Sequence, residues 1–158
     1  MLPTQITTLL MATNILHSYY KHNDIMFLTW MGLYTSSLIY HFTKTYIPID
    51  LRTTRLIYYI DIFFCICVYA GAGYNFSIVH IDQPYSTFIY TLHTICPFIY
   101  IPAAKYKMLM WDTDMYTSEV WHSIFHLVVY SETHLFLLIS PQGYSKLEGY
   151  SKPDANSI

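Results

Sequence analysis

The chain has 158 residues, of which 54% are hydrophobic and only 11% charged, and its formal net charge is -2. A charged fraction less than half that of an average soluble domain cannot cover a water-facing surface, and the length suits one compact unit. With no Lys or Arg cluster beyond Arg52 and Arg55, the chain offers no broad basic face to nucleic acid. The apolar residues instead fall in long blocks with the charges collected between them, as in a membrane protein.

Crossing the hydrocarbon core takes about 20 predominantly apolar residues per helix, and five blocks approach that length. The first, 2–20, lacks the basic opening and small-residue cleavage site of a secretory signal and is expected to be retained, although Asn14, His17 and several threonines make it the weakest. The second, 25–42, ends at Lys44, and the third, 56–74, carries Asp61 and closes on Ala70-Gly71-Ala72-Gly73, small residues that permit close helix approach. The fourth, 85–104, contains Pro97 and Pro102, which predict a kink or an early end. The fifth, 120–139, stops at Pro141, and a polar tail follows over 142–158.

These blocks predict an all-α, polytopic transmembrane bundle of about five spans over 1–141. Five crossings put Lys44, Arg52, Arg55, Lys105 and Lys107 on one side, against Lys21, Lys146 and Lys152 on the other. The positive-inside rule then places the N-terminus in the cytosol. Tyrosines, 17 in all, gather at block ends where amphipathic rings suit the headgroup level. Cys65, Cys67 and Cys96 lie inside apolar blocks and read as small buried side chains.

Ionisable groups inside a membrane span are costly and mark functional sites by default. Ser37 and His41 stand one turn apart near the end of the second block, Asp61 near the start of the third, and His122 and His126, at i and i+4, near the start of the fifth. Chain direction brings all of them to a similar depth on the cytosolic side. Three histidines at one level could hold zinc with a fourth position open. The plainer readings are an interhelical hydrogen bond for His41, a bond from Ser37 to its own helix, and Arg55 or a tyrosine hydroxyl as the partner of Asp61. His17, His22, His80, His93 and His134 fall out of that alignment and read as interfacial or packing residues, although His93 and His126 could alternatively clamp a haem. Glu132, well inside the fifth block, must be neutral or paired.

The ordered set of Ser37-x3-His41, an acidic residue opening the next span, and His122-x3-His126 opening the last resembles the CREST superfamily of membrane proteins, which includes alkaline ceramidases and the progestin and adipoQ receptors. The segment from Trp121 to Val129 looks like the receptor branch. Leu2-Pro3-Thr4, Gln83-Pro84-Tyr85-Ser86-Thr87-Phe88 and Trp111-Asp112-Thr113-Asp114 look more like the myomaker-like branch. That superfamily has seven spans, so this chain resembles a form shortened by two, which preserves the direction of the last helix. The resemblance implies zinc on His41, His122 and His126, with Asp61 holding the zinc-bound water and Ser37 nearby. It implies an intramembrane hydrolase of a lipid amide, ceramidase-like, in which that water attacks the carbonyl. The alternative expectation is a non-catalytic, zinc-stapled protein of membrane remodelling or fusion, or an accessory subunit of a membrane complex. Its partners would be membrane lipids and other membrane proteins.

Overall fold

Local chemistry sets where each helix begins and ends. The computed structural model describes residues 3–46, 50–79, 83–111 and 113–140, and these form five α-helices, one 3-10 turn and no strand. The helices are α1 (Pro3–Tyr20), α2 (Asp24–Tyr46), α3 (Leu51–Ile78), α4 (Tyr85–Tyr106) and α5 (Met115–Ile139), with the 3-10 turn at Leu109–Trp111. His80 and the expected tail over 142–158 lie outside the described residues.

Two aspartates extend helices beyond the apolar blocks. Asp50 caps α3 by accepting hydrogen bonds from the backbone N–H groups of Arg52 and Thr53 at 2.9 and 3.0 Å. Asp114 caps α5 by accepting from Thr117 N–H at 2.7 Å. The Thr53 hydroxyl, then these N–H groups, hold the Asp50 carboxyl below its usual range, and Thr117 does the same for Asp114. Consequently α3 begins at Leu51 rather than 56, and α5 at Met115 rather than 120. Hydropathy marks the stretch suited to lipid, whereas the caps mark where the backbone first turns.

The expected early end of α4 does not occur, because the helix continues through both prolines to Tyr106. Pro97 has no N–H to offer the carbonyl of His93, four residues earlier. The Tyr69 hydroxyl of α3 donates to that carbonyl at 3.0 Å instead. A neighbouring helix thus satisfies the group that the proline leaves bare.

In cross-section the helices follow one another as α4, α5, α1, α2, α3, with broad α1–α2, α2–α3 and α1–α5 interfaces and a thin α3–α4 seam. The interior is unusually polar. Among the described residues, buried polar side chains outnumber buried hydrophobic ones, and α1 shows the inversion most clearly. Thr4, Gln5, Thr7, Thr8, Asn14 and Ser18 face inward, while Ile6, Leu9, Leu10 and Leu16 are exposed. Among the described residues, two stretches, Arg52–Ile78 and Tyr85–Trp111, are long and apolar enough to cross a membrane, with mean hydropathies of 1.8 and 1.2.

Below the polar layer, Met26, Trp30, Leu33, Val68, Ala72, Phe76 and Phe136 form the apolar core. Gly32 lets α3 approach α2 there, since a Cβ at that position would fall within the ring of Phe64. Alanine is favoured over glycine in a helix by about 0.5–1 kcal/mol, but forcing the Phe64 ring aside costs roughly 1–3 kcal/mol. Gly32→Ala is therefore expected to destabilise the bundle. Thermal unfolding in detergent checks this, and a raised midpoint would show that the ring moves freely.

Candidate metal centre

α2 carries His41 five residues before its end, and α5 carries His122 and His126 two turns and three turns inside its start. The ring nitrogens of these three histidines lie within 4.8 Å of one another. Their ring centroids are 4.6 to 5.5 Å apart, each pair meeting edge to face. His41 and His126 are 2% and 5% exposed, and His122 is half-buried. Edge-to-face imidazoles converging on one point form a neutral donor set of the kind that suits a divalent transition metal.

Ser37 and Asp61 meet one turn along α2 from His41. The Ser37 hydroxyl donates to Asp61 Oδ1 at 2.5 Å, and the Ser36 hydroxyl lies 3.0 Å from the same oxygen. Asp61 is 3% exposed and takes no part in the triangle of histidine nitrogens. The structure brings these side chains together, and it differs from the sequence expectation in two respects. Asp61 lies ten residues inside α3, about 15 Å from its first turn, because Asp50 starts the helix early. Its partners are serines of α2 rather than Arg55 or a tyrosine, and Ser37 directs its proton to Asp61 instead of back to its own helix.

The inward face of α1 completes the surroundings and escaped the sequence reading. Thr7 Oγ1 lies 3.2 Å from His126 Nδ1, Gln5 Nε2 donates to the His41 carbonyl at 3.3 Å, and the Thr4 hydroxyl donates to Glu119 at 2.5 Å. Glu119 is buried one turn before His122. A signal was present: positions 4, 7, 8, 11, 15 and 18 fall on one helical face, and in the least apolar block most of them are polar.

His93 is not part of this group and is held by Glu132 and Tyr69 instead. Its Nδ1 lies 2.7 Å from Glu132 Oε1, and its ring stacks on Tyr69 with centroids 4.0 Å apart and planes 5° from parallel. Glu132, 2% exposed, thus has the partner its depth demands. His134 Nδ1 is 2.9 Å from Asn14 Oδ1, and its ring meets His17 at 4.6 Å. Comparison with protein-family models, curated proteins and solved structures finds no match to the chain.

Proposed function

We propose that this chain is a five-span membrane protein, with its N-terminus on the cytosolic side, that binds zinc and hydrolyses a lipid amide. The observation that carries the reading is the convergence of His41, His122 and His126 beside the Ser37–Asp61 pair. The ordered motif set resembling the CREST superfamily supports the same assignment, and its lipid-active members suggest the substrate class.

Three features support five crossings. At 1.5 Å per residue the shortest helix, α1 with 18 residues, is about 27 Å long, close to the hydrocarbon thickness. Large apolar side chains point outward on every helix. The low hydropathy of α1, α2 and α5 comes from inward-facing Thr, Ser, Asn, His and Glu, which meet one another and not lipid.

The donor set fits zinc. Imidazole nitrogens about 2.0–2.1 Å from a tetrahedral ion stand about 3.4 Å apart, so side-chain adjustments of an ångström or so close the triangle. When bound, zinc supplies Lewis acidity and draws a nucleophile from water near neutral pH. Asp61 would accept the proton released as water adds to the amide carbonyl and return it to the nitrogen as the C–N bond breaks and the amine leaves, while Ser37 orients the carboxylate. Because the Ser37 proton already goes to Asp61, its role is positioning rather than direct contact with a developing oxyanion. Outside the bundle, an apolar cleft between α4 and α5, lined by Leu92, Ile95, Ile99, Trp121, Phe125 and Val128, has the character needed to rest an acyl chain.

The test is turnover of a panel of lipid amides by purified protein. Asp61→Ala is expected to lower activity about a hundredfold while zinc remains bound, the usual range for removing a general base. One observation favours a second reading, the zinc staple. α2 and α5 share no extended packing interface, so an ion on their histidines would tie together helices otherwise joined through α1. If no lipid amide turns over and zinc removal only unfolds the protein, the staple replaces the hydrolase.

A further inference from the structure

The hydrogen-bond pattern around α1 fixes more than the position of His126. We propose that Thr7 is a positioning residue that holds His126 in the Nδ1–H tautomer, leaving the Nε2 lone pair as its ligand atom. The inference rests on the metal reading above and adds the residue that prepares this ligand.

The tautomer of His126 depends on one proton of Thr7. A threonine hydroxyl has a single hydrogen to donate but two lone pairs to accept with. Thr7 Oγ1 lies 3.1 Å from the Thr4 carbonyl, and a carbonyl can only accept. The Thr4 carbonyl also receives the Thr8 hydroxyl at 2.8 Å, and in the proposed arrangement the Thr7 proton joins it there, the common back-bond of helical threonines. His126 Nδ1, 3.2 Å from Thr7 Oγ1, is then the donor of that contact. A neutral imidazole that donates from Nδ1 carries its lone pair on Nε2.

Thr7 is buried and sits between Thr4 and Thr8, whose hydroxyls are committed elsewhere: Thr4 to Glu119, and Thr8 to the Thr4 carbonyl at 2.8 Å. Thr7 is therefore the α1 hydroxyl placed to accept from His126. Outer partners of this kind orient metal-binding histidines in general, and their loss typically costs 10- to 100-fold in metal affinity.

Zinc affinity of detergent-purified protein, measured by competition with a chelator, separates the possibilities. Thr7→Val keeps the shape and removes the acceptor, and it is expected to weaken zinc 10- to 100-fold. Thr7→Ser restores the acceptor and is expected to stay within about threefold of the native protein, as the hydroxyl argument requires. Equal affinity in native protein and Thr7→Val overturns the proposal, as does a serine variant as weak as the valine one. Nitrogen NMR of metal-free protein gives a second, metal-independent readout. His126, assigned by the signal lost in His126→Gln, is expected to carry its proton on Nδ1 in the native and Thr7→Ser proteins and to lose that preference in Thr7→Val. If native protein bound no zinc, the metal reading would fail, and this tautomer measurement would still decide the role of Thr7.

Discussion

Replacing His126 with alanine is expected to lower zinc affinity by about one hundred- to several hundredfold. Structural zinc sites contribute about 10–16 kcal/mol, so one of three or four ligands carries about 3–4 kcal/mol, with each 1.4 kcal/mol worth a factor of ten. His126 is buried and tied through Nδ1 to α1. Asp61, the carboxylate on α3, lies outside the group of ligand atoms that one ion could gather among the described residues. The same change is expected to bring the thermal midpoint down to that of chelator-treated native protein, because the ion joins α2 to α5. A variant that retains full zinc affinity would show that the convergence of rings is mere packing.

The second large effect lies away from the metal centre. His93→Ala leaves Glu132 as an unpaired carboxyl in the bundle interior, and breaking a buried pair by removing one partner typically costs about 3–5 kcal/mol. In a chain of this size 1 kcal/mol moves the midpoint by about 2–4 °C, so the loss is expected to be on the order of 10 °C. The local geometry gives reasons to expect the full penalty. His93 is clamped on Tyr69, its edge meets Phe76 at 5.1 Å, and a Cβ on Gly73 would stand 3.0 Å from its Nε2. Removing the imidazole leaves a space that neither helix can close without moving the seam. Replacing both partners by leucine is expected to recover most of the stability, because two apolar groups leave nothing unsatisfied. A shift under about 2 °C in His93→Ala would mean that Glu132 finds another partner.

These two sites differ in how far they can be read from sequence. The histidine triangle is legible because two of its members share one helix at i and i+4, and because alternating chain direction puts the third at the same depth. Asp61 and Ser37 are legible for the same reason. Glu132 announces a need for a partner, but nothing in the sequence selects His93 over His17 or His134. That choice depends on the rotation of α4 about its axis, which tertiary packing sets through Tyr69 and Gly73. Thr7 illustrates a third case. Its polar face on α1 lowers the hydropathy of the block and so reads as a weak span, when the same residues line the histidine cluster from within. Helix ends fell where Asp50 and Asp114 could cap, several residues outside the apolar blocks, because a cap and a lipid-facing stretch answer different physical demands.

The most direct test of the account is the metal content and coordination of detergent-purified native protein. The account predicts one zinc per chain, with X-ray absorption showing three imidazole nitrogens at about 2.0–2.1 Å and one oxygen ligand completing the shell. Zinc well below one per chain, together with a midpoint unchanged in His122→Ala, would contradict it.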